Sequence, residues 1–219
     1  MVAVASALTA VCIGGVMPRG DLRSNAFDTS PLLKHLQGHY RFELLDKFVL
    51  KVLDADGFFF VTGPQNYVPS PRLLQYMTSS KHGQTRHFQL DNRTHPRAFA
   101  DRLRQGHREN RSFLPYLLQG RSSGSPFKNQ LLNEQWAECM RMVRSIENER
   151  GFDYKYVAFS RVDIEWKAAH PSLHLIKEAT GSCKRATVWA MAADDYGGLM
   201  DKYLILERSG ASVIESFVD

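Results

Sequence analysis

Residues Tyr154 to Trp166 read YKYVAFSRVDIEW, and the fold follows from how this stretch divides. Tyr156-Val157-Ala158-Phe159 is a short apolar, β-prone run of the kind that forms a buried strand. The run breaks into Ser160-Arg161-Val162-Asp163-Ile164-Glu165-Trp166, which sets two carboxylates at i and i+2 beside an arginine. In open α/β sheets the ligand crevice lies outside the carboxyl ends of the strands. Carboxylates at such a strand end suit a hard divalent cation, which takes oxygen ligands and shares them with substrate phosphates. Two solvated charges after a strand are also common, so the pair gains weight only with a partner segment. That partner is the strand Thr187–Met191, which opens into Ala192-Ala193-Asp194-Asp195-Tyr196-Gly197-Gly198-Leu199-Met200-Asp201-Lys202.

Upstream, Asn129 to Arg150 carries the strongest helical signal in the chain. Leu132, Trp136, Cys139, Met140, Val143 and Ile146 keep i, i+3, i+4, i+7 spacing, and Gly151 ends the helix. The chain opens on a first strand, Thr9–Val16 (TAVCIGGV), that runs into Gly14-Gly15 and then Met17-Pro18-Arg19-Gly20. Glycines at a strand end let the backbone approach a ligand closely, although a plain glycine-rich turn fits equally well. The segment is neither GxGxxG nor a P-loop. Ser30-Pro31 starts a helix, and Phe42, Leu45, Phe48, Val49 and Val52 hold helical spacing to Asp54. A strand bounded by Gly57 and Gly63 follows, then a short helix from Ser70-Pro71 with Leu73, Leu74 and Met77 inward, then a strand over Thr85–Leu90.

Downstream come a corner at His170-Pro171, an apolar stretch at Leu173–Ile176, a strand at Tyr203–Leu206 and a helix at Ser209–Phe217. His35/His39 and His170/His174 are each four apart with no third ligand nearby, so neither pair reads as a metal site. Strands and helices alternate without a repeat or a clear linker. The pattern predicts one α/β domain over 1–219, with a mixed, mostly parallel sheet flanked by helices.

Composition agrees with an ordinary globular chain: 219 residues, 43% hydrophobic and 23% charged. No apolar span of 18 residues follows the N-terminus, so no membrane span is expected downstream. Residues 2–17 are apolar enough for a signal core, but no Lys or Arg precedes them and they run into a glycine turn, so they read as a core strand. Cys12, Cys139 and Cys183 are far apart and odd in number, which predicts reduced thiols rather than a disulfide framework. The net charge of +5 is concentrated in residues 72–128, with eleven Lys and Arg against three Asp and Glu. Such a segment steers anionic partners of any kind. The expected location is soluble, either cytoplasmic or as a domain cut from a longer protein, with a lumenal home left open.

The order of motifs resembles a family of small GT-A-type glycosyltransferases. The matching pieces are Gln135-Trp136, Glu149-Arg150-Gly151, Tyr154–Val157, Arg161-Val162-Asp163-Ile164-Glu165-Trp166, His170-Pro171, Trp189, and Asp195-Tyr196-Gly197-Gly198-Leu199-Met200-Asp201-Lys202. Ala10 to Arg19 is similar to the family's first, nucleotide-contacting strand. The resemblance covers about the last 90 residues and this strand; 64–127 has no counterpart. Where the family has R-P-D, this chain has Arg161-Val162-Asp163, which keeps the carboxylate. Where the family has Asp-Arg, it has Asp201-Lys202, which keeps a cation but loses arginine's bidentate fork.

The resemblance implies a single GT-A-like domain, with a nucleotide-sugar half at about 9–166 and an acceptor half at about 167–219. It implies a nucleotide-diphosphate sugar donor, most often UDP-linked, held with Mn²⁺ or Mg²⁺, and a glycan or other hydroxyl acceptor. Asp163 and Glu165 would be the metal ligands. Gly14, Gly15, Val16, Arg19, Arg161, Asp163 and Lys202 would contact the donor, and Tyr196, Gly197 and Gly198 the acceptor. Asp195 and Asp201, with Asp194 behind them, are candidates for the base that an inverting transfer needs. Two other readings remain. One is a nucleotidyl- or phosphoryl-transferring enzyme using the same carboxylates. The other is a nucleic-acid-binding module resting on the basic segment, where aromatic interleaving is thin.

Overall fold

The computed structural model describes residues 9–16, 42–62, 71–79, 85–91, 126–162, 164, 166–180, 188–190 and 203–215. Along the chain these form β1 (Thr9–Val16), α1 (residues 42–53), β2 (Ala55–Thr62), α2 (Pro71–Thr78), β3 (Arg86–Asp91) and α3 (Pro126–Arg150). They continue with β4 (Tyr156–Arg161), α4 (Leu173–Thr180), β5 (Val188–Ala190), β6 (Tyr203–Glu207) and α5 (Arg208–Glu215). The strands make one mixed sheet in the order β3-β2-β1-β4-β6-β5. β3, β2, β1 and β4 run parallel, whereas β6 is antiparallel to both β4 and β5.

Both faces of the sheet are covered, which is why its central strands read as unbroken apolar runs rather than as an alternation. Alternate residues still go to opposite layers. Val11, Ile13, Phe59, Val61 and Ala158 join α1, α2 and the segment after β4 in one core. Ala10, Cys12, Phe58, Phe60, Val157 and Phe159 join α3 and α5 in the other. α3 supplies Trp136, Cys139, Met140 and Val143, the stripe expected from its spacing.

Four local expectations change. α1 is π-helical over Asp46–Leu50. A π-turn holds one more residue than an α-turn, so the apolar face slips along the sequence. Leu50 and Leu53 become buried beside Leu45 and Val49, while Val52 is exposed. Leu74, expected inward on α2, is exposed too. α1 ends at Asp54, whose left-handed backbone (φ 47°, ψ 57°) turns the chain straight into β2. Gly57 is not a strand boundary but lies inside β2. A Cβ there would stand 3.1 Å from the Phe59 ring and 3.3 Å from Leu50, so glycine is what lets α1 close on the strand.

The fourth change concerns sulfur. Cys12 on β1 and Cys139 on α3 are 127 residues apart in sequence, yet they form a disulfide, with Cα atoms 5.7 Å apart. The expectation of thiols is overturned for Cys12 and Cys139 because α3 crosses directly over β1, a juxtaposition that cysteine spacing does not encode; Cys183 lies outside the described residues.

Buried charge gathers where the parallel strands begin. Asp56 accepts hydrogen bonds from the Thr85 amide (2.6 Å), Arg150 Nη1 (2.8 Å) and the Tyr154 hydroxyl (2.5 Å). Glu147 takes both Nε and Nη2 of Arg208 at 2.8 Å, and also the Tyr154 amide. Together these bonds fasten the C-terminal end of α3 to the amino ends of β2 and β4 and to the end of β6. Arg150, part of the family-like motif, therefore has a structural role.

Candidate active-site crevice

From β1 the chain moves outward to β2 and β3, then returns through α3 to place β4 on the other side of β1. The strand order thus reverses between β1 and β4. Neighbouring connections leave that edge in opposite directions there, which opens a crevice at the carboxyl ends. Those ends carry Gly14-Gly15-Val16 on β1, Thr62 on β2 and Arg161 on β4. Gly14 pairs with Arg161 and Val16 with Thr62. The pairing of β1 with β4 runs one residue past the strand, through the Val162 amide and the Gly14 carbonyl at 2.9 Å.

The two glycines have packing reasons to be glycines. A Cβ on Gly14 would lie 3.1 Å from Cδ1 of Trp136 and 3.2 Å from Cβ of Gln135, so α3 rests on a bare backbone. Gly15 has φ +152°, and its Cβ would fall 2.5 Å from Cγ1 of Val162. Any ligand contact of these residues is left to their peptide groups. Gln135 also donates from Nε2 to the Thr62 hydroxyl at 2.9 Å, both groups buried. Gln135 and Trp136, which the motif order brought forward without a role, are buried and thus pack α3 onto the carboxyl ends of β1 and β2.

Arg161 is the last residue of β4 and is half-buried. Beyond it, Val162 and Trp166 are buried, and Ile164 packs on the same core. The chain then passes His170, whose amide donates to the Phe48 carbonyl at 2.7 Å and ties this segment to α1. His170, Trp166 and Tyr203 make a ring cluster, with Tyr203 5.0 Å from Trp166 and 5.3 Å from His170. Burial lowers the pKa of His170, partly offset by its hydrogen bond with the Pro171 carbonyl, and burial raises that of Tyr203. His174 is exposed and lies 3.1 Å from Glu178, so His170 and His174 occupy different surroundings.

The second acidic segment is bracketed by the sheet. Ala190, at the end of β5, pairs with Leu204, and Tyr203, at the start of β6, pairs with Ser160. Because β6 is reversed, the chain leaves at Ala190 and returns at Tyr203 on the same edge as Arg161 and Val16. β5 itself is short and partly exposed, not the buried strand expected. Arg19, Asp163, Glu165, Asp194, Asp195, Tyr196, Gly197, Gly198, Asp201 and Lys202 lie outside the described residues. Among the described residues no three His, Cys, Asp or Glu side chains gather as a metal site, and no helix is long and apolar enough to cross a membrane. No protein-family model, curated protein or solved structure matches the chain.

Proposed function

We propose that this chain is a glycosyltransferase of the GT-A type that moves a sugar from a nucleotide-diphosphate donor, UDP-linked by preference, to an acceptor hydroxyl. The observation that carries the reading is the reversal of strand order between β1 and β4. It gives the glycine-rich end of β1 and the Arg161-Val162 end of β4 a common edge, where open α/β sheets take nucleotides. The return of β5 and β6 to that edge supports the grouping of the second acidic segment with the first.

In this reading the peptides of Gly15 and Val16 line the donor, and Arg161, Lys202 and Arg19 balance its diphosphate charge. Asp163 and Glu165 would hold Mn²⁺ or Mg²⁺, which supplies charge stabilisation for the departing nucleoside diphosphate. Asp195 or Asp201 takes the proton of the acceptor hydroxyl as it attacks the sugar. Tyr196, Gly197 and Gly198 shape the acceptor side.

A thermal-shift panel of UDP, UDP-sugars, ADP and GDP, with and without Mn²⁺, tests this. A ligand at a hundredfold excess over its Kd stabilises a fold by about 2.7 kcal/mol, so binding is readily seen. Metal-dependent stabilisation by uridine nucleotides is expected. If no nucleotide stabilises the protein in either condition, the reading falls. Release of pyrophosphate from NTP and a sugar phosphate would instead identify a nucleotidyltransferase.

A further inference from the structure

The disulfide between Cys12 and Cys139 bears on where this protein is made. Both cysteines have 0% exposure, one on the central strand and one on the helix that covers it. An oxidant cannot reach sulfurs in that position once α3 has closed on β1, so the bond must form while the chain folds. Disulfides form and persist where thiols are kept oxidised and are rare in the reducing cytosol. A second feature of the sequence points the same way. Asn92-Arg93-Thr94 and Asn110-Arg111-Ser112 both match the Asn-x-Ser/Thr acceptor of N-glycosylation, with no proline between.

We propose that this chain matures in an oxidising, glycosylating compartment, where Cys12 is joined to Cys139 during folding and Asn92 and Asn110 carry N-linked glycans. The oxidation is a thiol–disulfide exchange. One cysteine thiolate attacks the disulfide of a protein dithiol oxidase, giving a mixed disulfide and releasing one oxidase thiol. The second cysteine thiolate displaces the other oxidase sulfur and closes the Cys12–Cys139 bond. Two protein thiols are oxidised, the oxidase disulfide is reduced to two thiols, and the protons of the cysteines pass to them through solvent. The bond joins β1 to α3 two residues before Gly14 and three after Trp136, so it fixes the joint beneath the crevice. The inference does not depend on which reaction the crevice performs.

The test produces the whole chain by two routes, through a eukaryotic secretory pathway behind a cleavable leader and in a reducing cytosol. Thiols are counted after denaturation without reductant, the two products are melted, and peptide-N-glycosidase digestion is read by mass. The secretory product should show one reactive thiol, Cys183, and a Cys12–Cys139 peptide; the cytosolic product should show three thiols and a lower Tm. Glycosidase should lower the secretory mass by two glycans, by one in Asn92→Gln or Asn110→Gln, and not at all in the double variant. Three reactive thiols in the secretory product, no glycan, or a cytosolic product that melts as high would overturn the proposal. Occupancy at a single triplet overturns the assignment of the other. The thiol count on the wild-type chain decides the matter even if cysteine variants fail to fold.

Discussion

Gly15 is the residue with the least freedom in the crevice. Its φ of +152° disfavours a side chain, and Val162 fills the space that a Cβ needs. Gly15→Ala should therefore lose about 1–3 kcal/mol in urea unfolding, the usual cost of one strained backbone position. Gly14→Ala should lose less, because the side chains of Trp136 and Gln135 need only shift by a few tenths of an ångström. Equal losses would show that Gly15 is not strained. Asp163 is tested by function. Asp163→Ala should reduce donor-dependent turnover by about a hundredfold, the scale of losing one preorganised electrostatic contact, and should weaken calorimetric binding of UDP with Mn²⁺. Asp201→Asn should reduce transfer yet leave that binding near wild type. An Asp163→Ala protein that binds and turns over normally places the metal elsewhere.

At the level of elements, the segment after β4 is held by rings rather than by regular hydrogen bonding, and this makes it sensitive to protons. Burial depresses His170 below its ordinary pKa of 6.5, and it depresses His87, stacked on Phe58, in the same direction. Each takes up a proton less readily in the fold than in the unfolded chain, which binds one on each below about pH 6.5. The unfolded state then holds more protons, so their contribution to stability is complete above pH 6.5 and declines as pH falls through that value. His170→Phe keeps a ring against Trp166 and Tyr203 but removes one titration. Its Tm should fall less steeply than that of wild type between pH 7 and 5, and parallel curves would refute the assignment. α1 shows where sequence periodicity misleads. The stripe through Phe48 and Val52 assumes α-helical turns, and a single π-turn moves burial to Leu50 and Leu53. By contrast, α3 was legible because its stripe of Trp136, Met140 and Val143 is regular and long.

For the whole molecule, the alternation of strands and helices reveals the α/β class and the presence of every described strand, because each is short and punctuated and all but the polar β3 are apolar. It does not reveal the order of those strands, the disulfide, or the clasp of Asp56 with Arg150 and Tyr154, all of which join residues far apart in sequence. The glycines near residues 14 and 15 were legible as a special backbone, but their cause, contact with α3 and Val162, required the fold. The ends of β4 and β5, expected to face one edge, do share it, whereas the acidic residues expected beyond them lie outside the described residues. The reversed β6 has one more consequence, and it concerns evolution rather than chemistry. Ala190 and Tyr203 stand on neighbouring strands at the same rim, so the length of the link between them can change without altering the register of any strand. A lineage built on this sheet is free to vary that link while the framework beneath is inherited intact.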